Sequence, residues 1–203
     1  MKKKKKVGIL GGTFNPIHVG HLMMAETAYD SFQLDCVLMM PNGNPPHKEL
    51  DKDENSHHRM KMLELAVENN AHLIPSDFEL KRKGVIYTYK TLELLSQEHP
   101  ETIFYFILGA DSLIHLEEWQ FPEIICKNAV LLVAVRDELD QEKVEKQMEL
   151  LKKKYQAEIY LMDMPAVEIS SHDIRNRIQE GRTVRYLVSD KVRKYIRDNC
   201  LYE

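Results

Sequence analysis

Three stretches carry the side chains with chemistry to offer. In Val7–His21 (VGILGGTFNPIHVGH) an apolar run ends at Gly11-Gly12, a turn carries Asn15-Pro16, and His18 and His21 follow. Glycine lets backbone N–H groups approach a phosphate with no Cβ in the way. In Ile169–Arg175 (ISSHDIR) a serine pair precedes an arginine. Serines at a helix start read as an N-cap, which leaves the arginine unexplained. The third set is dispersed: Asn44–Lys48 (NPPHK), Tyr87-Thr88, Gly109–Trp119 (GADSLIHLEEW) and Arg136. Together they suit a phosphorylated ligand. The first stretch is neither GxGxxG nor a loop ending in GK[ST], so hydride-transfer and P-loop chemistry do not fit. The histidine pair lacks an obvious companion Cys, Asp or Glu, so no metal ligands are assigned.

The elements that must position these residues alternate in type. Strands are predicted at Val7–Leu10, Asp35–Met40, His72–Pro75, Ile103–Leu108, Val130–Val135 and Glu158–Met162. Helical spacing occupies His18–Phe32, with Leu22, Ala25, Tyr29 and Phe32 on one face, and Ser56–Asn69, with Met60, Leu63 and Val67. It returns after Thr88, in two pieces around Trp119, over Glu142–Tyr155, and in the closing Ser171–Gln179 and Ser189–Asn199. Ser76–Val85 is charged and reads as a surface excursion. Strands separated by helices imply an α/β fold: a doubly wound, mainly parallel sheet with helices on both faces. In such sheets ligands sit beyond the carboxyl ends of the strands, where Gly11-Gly12, Gly109 and Arg136 fall. Tyr87-Thr88 opens a helix whose first N–H groups would suit a carboxylate, although Thr88 also reads as an ordinary N-cap.

The chain has 203 residues, a net charge of −4 and 43% hydrophobic residues. That composition suits one soluble domain over 1–203 with a basic tail at 1–6. The balance of charge argues against nucleic acid as a partner, the Lys2–Lys6 block being the one feature in its favour. Cys36, Cys126 and Cys200 are odd in number and widely spaced, as in a reducing cytoplasmic setting. No apolar stretch is long enough to span a membrane, and VGIL runs into GGTF without a cleavage site, so no signal peptide is expected. Oligomeric state, including a homo-oligomer, is left open.

GTFNPIHVGH resembles the (T/S)F-(D/N)-P-x-H-x-GH signature of the HIGH-type nucleotidyltransferase superfamily. ISSHDIR is similar to that superfamily's ISSTxIR, with His172 in place of Thr. With PPHK, YT and GxDxLxxLxxW added, the chain looks like the bacterial nicotinate mononucleotide adenylyltransferases, and the similarity extends to the closing VRYLVSDKVRKYI. The resemblance implies a Rossmann-like fold and adenylyl transfer from ATP to nicotinate mononucleotide, releasing pyrophosphate, with Mg²⁺ carried by ATP. It implies catalytic roles for His18, His21 and Arg175. ATP would meet Gly11, Gly12, Thr13, Phe14, Gly109, Asp111, Ser170, Ser171 and Ile174. The acceptor would meet Asn15, Lys48, Tyr87, Thr88, Trp119 and Arg136, with Trp119 stacked on the nicotinate ring.

Two alternatives stand beside this reading. One is another acceptor in the same superfamily, phosphopantetheine or nicotinamide mononucleotide. The other is a non-catalytic nucleotide or RNA module, against which the intact His18, His21, Ser170, Ser171 and Arg175 argue.

Overall fold

The computed structural model describes residues 4–44, 54–135, 141–165 and 167–203. Among the described residues there are six strands: β1 (Lys5–Gly12), β2 (Cys36–Pro41), β3 (Leu73–Pro75), β4 (Thr102–Gly109), β5 (Val130–Ala134) and β6 (Ile159–Met162). All pair in parallel, in the order β3-β2-β1-β4-β5-β6. This is a Rossmann-like sheet, and its strand order reverses between β1 and β4, where such sheets bind ligands. β1 is four residues longer than the apolar run alone predicts. It takes in Lys5 and Lys6 at one end, where β4 continues the ladder, and Gly11-Gly12 at the other, where β2 does.

The helices are α1 (Val19–Ser31), α2 (Glu54–Val67), α3 (Thr88–Glu98), α4 (Ala110–Ile114), α5 (Pro122–Asn128), α6 (Gln141–Tyr155), α7 (Ser171–Gln179) and α8 (Asp190–Asp198). A 3-10 turn covers Leu116–Glu118, so Trp119 lies between two short helical pieces, as its spacing suggests.

Strand alternation divides the interior into two cores. Leu10, Val37, Met39, Tyr105, Ile107 and Leu132 face α1, α2, α7 and α8. Ile9, Met40, Phe104, Phe106, Leu108 and Leu131 face α3, α4, α5 and α6. Successive residues of β4 alternate strictly between the two, as a period of two requires. At roughly 25 cal/mol per Å² of apolar surface removed from water, burial on both faces is the main force holding the sheet.

Two helix faces differ from those the spacing predicts. In α1 the fully buried residues are Met24, Ala25 and Ala28, while Leu22, Tyr29 and Phe32 pack only in part. The alanines let α1 lie close to the sheet. In α2 the buried side chains include Arg59, Met62, Leu63 and Val67, and Met60 is only partly covered. A charged residue on that stripe is the reason the sequence pattern misplaces it.

Candidate active site

The site begins where β1 runs out. After Gly12 the chain turns through Phe14, whose φ is +50° although it is not glycine. The Phe14 ring lies against Gly12 so closely that a Cβ there would fall 2.8 Å from it. Gly12 is therefore required by packing within the turn, a reason that adds to access for a phosphate. Phe14, 1% exposed, anchors the turn rather than offering its ring to a ligand.

His18 is the N-cap of α1 and His21 lies in its first turn. The two rings stack with centroids 3.7 Å apart, and the edge of Phe14 meets His21 at 4.9 Å. Gly20 leaves room for this, since a Cβ there would come within 3.1 Å of the His18 ring. The His18 backbone N–H donates to His21 Nδ1 over 3.3 Å. That bond fixes the tautomer: in the neutral ring the proton sits on Nε2, leaving a donor on the far side of the imidazole. His18 is 4% exposed and presents a narrow edge, whereas His21 is only half-buried.

The second motif, distant in sequence, docks onto this turn. Ser170 caps α7 by accepting the Asp173 N–H at 3.1 Å, so the N-cap reading of the first serine holds. Its hydroxyl also donates to the Asp173 carboxylate at 2.6 Å. The Ser171 hydroxyl donates to the Pro16 carbonyl at 2.8 Å, and Arg175 Nη1 to the Asn15 carbonyl at 2.8 Å. His172 points elsewhere: it is exposed and pairs with Asn176 one turn on, at 3.1 Å. The Ile174 side chain is fully buried in the core, so only its backbone could meet ATP. The apolar side chain holds α7 down.

Gly109 and Asp111 stand at the carboxyl end of β4, beside β1, with Asp111 exposed in the first turn of α4. A Cβ at Gly109 would point into open space. Trp119 is half-buried, its ring meeting Phe106 at 6.4 Å. The N-cap of α3 is Tyr87, not Thr88, and its side chain makes no capping bond. Thr88 is the first helical residue, so the reading of it as N-cap is corrected. Lys48 and Arg136 lie outside the described residues.

Three further residues join the site that spacing alone did not single out. Arg59, 2% exposed, donates from Nη1 to the Thr13 carbonyl at 2.9 Å. Burial lowers its affinity for the proton, and the Tyr202 hydroxyl nearby opposes that shift. A cation on the apolar stripe of α2 was the available signal. Tyr202 donates to Asn15 Oδ1 at 2.5 Å, and nothing in the sequence pattern marks it. Glu79 sits inside the presumed surface excursion, yet its carboxylate accepts the Gly43 N–H at 3.3 Å and the Thr91 hydroxyl at 2.8 Å. Burial raises its pKa above the ordinary 4.5, against the pull of Thr91, Gly43 and Arg82. It ties the loop after β2 to α3, beside Tyr87-Thr88.

Among the described residues no group of three or more His, Cys, Asp or Glu could hold a metal ion. No described helix is long and apolar enough to cross a membrane.

A cytidylyltransferase-like family model matches residues 9–177. A protein of Lachnoclostridium phytofermentans named as a probable nicotinate-nucleotide adenylyltransferase is 42% identical over 198 residues, 98% of this chain and 99% of its own. The chain belongs to the nicotinate-nucleotide adenylyltransferase family. A similarly named protein of Clostridium botulinum is also 42% identical, over 96% of this chain and 98% of its own. Among solved structures, nicotinic acid mononucleotide adenylyltransferase of Plasmodium falciparum complexed with NaAD superposes with a TM-score of 0.79. It covers 98% of this chain and 97% of its own at 21% identity, which supports the fold. Both stretches that carry the resemblance fall within residues 9–177 matched by the family model, apart from Val7 and Gly8 at the start of the first.

Proposed function

We propose that this protein transfers AMP from ATP to nicotinate mononucleotide, giving nicotinate adenine dinucleotide and pyrophosphate, in NAD biosynthesis. The observation that carries the reading is the docking of Ser171 and Arg175 onto the Asn15-Pro16 turn beside His21. It brings the two motifs into one site at the point where the sheet order reverses. The chain acts as a single nucleotidyltransferase domain over 1–203.

The acceptor phosphate oxygen is ionised at neutral pH and attacks the α-phosphorus of ATP. One P–O bond forms, the bond to the β-phosphate bridge breaks, and pyrophosphate leaves with the electron pair. No general base is required, so catalysis is positioning and stabilisation of charge. His21 Nε2–H faces the transferring phosphate, with His18 stacked behind it. Arg175 keeps one N–H on Asn15 and turns its other donors, of five in a guanidinium, to the pyrophosphate. Gly11, Gly12, Thr13 and the backbone of Phe14 and Ile174 line the ATP side, with Ser170 and Ser171 at the start of α7 and Gly109 and Asp111 at β4.

Asn15, Tyr87, Thr88 and Trp119 form the acceptor side, with Lys48 and Arg136 assigned there from the sequence. The uncapped N–H groups at the start of α3 suit the nicotinate carboxylate, which an amide would not match. Mg²⁺ would enter with ATP, held mostly by the nucleotide and water, and would neutralise charge on the phosphates.

The test is pyrophosphate release by the purified protein with ATP and nicotinate, nicotinamide or phosphopantetheine acceptors. Release with the nicotinate nucleotide, favoured at least about tenfold in kcat/KM, is expected. Release with none of them, or a preference for the amide, would reject the reading.

A further inference from the structure

The turn 13–16 is held by donors from three directions. Arg59 donates to the Thr13 carbonyl, Arg175 to the Asn15 carbonyl and Ser171 to the Pro16 carbonyl. A planar trans peptide points its C=O and the following N–H in opposite directions. With the Thr13 and Pro16 carbonyls drawn outward, the N–H groups of Phe14 and Ile17 are turned to the other side. Three carbonyl oxygens, which would repel a polyphosphate, are thereby occupied.

The same logic extends to the Asn15 side chain. The Tyr202 hydroxyl is both donor and acceptor, so it can in principle meet either arm of an amide. Here it lies beside two guanidinium groups, those of Arg59 and Arg175, and the residue is half-buried. Burial raises its pKa despite both cations, so the hydroxyl keeps its proton and donates it. Its partner is Asn15 Oδ1, 187 residues away in sequence. Once Oδ1 is taken, the Nδ2 donors occupy the other arm of the amide. The same hydroxyl also reaches Met62 Sδ of α2, at 4.0 Å.

We propose that Tyr202 is a positioning residue for adenylyl transfer: its hydroxyl fixes the Asn15 amide with Nδ2 presented to the acceptor nucleotide. The inference rests on the proposed activity and adds to it a residue that touches neither substrate. Its effect on the acceptor is carried through Asn15, which separates it from a residue that merely holds the fold.

The experiment compares wild type, Tyr202→Phe, Asn15→Ala and the double variant. Pyrophosphate release is measured while ATP and nicotinate mononucleotide are each varied, and thermal unfolding is followed in parallel. Tyr202→Phe keeps the ring and loses one hydrogen bond, so kcat/KM for nicotinate mononucleotide should fall about tenfold. KM for ATP should stay within about twofold, since Asn15 is assigned to the acceptor side. The double variant should lose no more than Asn15→Ala alone, because the two residues act as one unit.

An active wild type with unchanged constants in Tyr202→Phe overturns the inference and leaves the activity standing. So does a double variant whose losses multiply, or a Tyr202→Phe protein that fails to fold. An inert wild type rejects the activity itself, and the inference with it.

Discussion

The two sides of the crevice are built differently. On the transfer side, the turn between β1 and α1 is clamped by Arg59, Ser171 and Arg175, which come from two distant parts of the chain. Two stacked histidines stand over it. On the acceptor side, α3 begins without a side-chain cap, Trp119 is only half-buried, and Glu79 supplies the link between the β2 loop and α3. We assign to the first side the transfer step, which is common to any acceptor. On the second, the start of α3 carries no side-chain cap and Trp119 packs only in part against the core, and we assign acceptor selection to it.

The largest effect should come from the clamped side. His21→Ala removes the Nε2 donor, and kcat should fall roughly 100-fold or more, about 2.7 kcal/mol, with the unfolding transition retained. A well-folded variant at the wild-type rate would remove His21 from the mechanism. On the other side, Trp119→Ala should raise KM for the acceptor about tenfold while leaving KM for ATP within about twofold. A change in the ATP constant instead would mean that Trp119 belongs to the nucleotide site or to the core around Phe106.

Glu79 sharpens the comparison through pH. Its folded pKa is raised above the ordinary 4.5, so the folded state holds the proton more tightly than the unfolded chain. Its contribution to stability is therefore complete below that ordinary value and is lost as pH rises through the raised folded value. Glu79→Gln should flatten the stability profile in that acid window, read by thermal unfolding at a series of pH values. An unchanged slope would show that the carboxylate is not the group responsible.

The smallest effect is expected at His172, where the related motif has Thr. Its side chain is exposed and bonded only to Asn176 among the described partners, so His172→Thr should alter kcat less than about twofold. A larger change would place position 172 inside the site.

Much of the architecture was legible because periodicity reports burial directly. The β4 run reads as a strand covered on both faces, and it is. Histidine and serine spacing placed His18, His21, Ser170 and Ser171 at helix starts, since capping is local chemistry. What spacing cannot report is which distant groups meet. The Arg175 bond to Asn15 spans 160 residues, and the Tyr202 bond spans 187. Arg59 was hidden for a different reason: a guanidinium on an apolar stripe looks like an interruption of the pattern until its carbonyl partner is seen. Glu79 was masked by its neighbours, because a charged stretch reads as surface even when one carboxylate turns inward.

The division of labour between the two sides is tested most directly by one ratio. It is kcat/KM for nicotinate mononucleotide over kcat/KM for nicotinamide mononucleotide, measured in wild type and in His21→Ala. The account predicts an acid preference of at least about tenfold in both proteins, with the two rates falling together by roughly 100-fold in the variant. A preference for the amide, or a ratio that collapses when the histidine is removed, would contradict it.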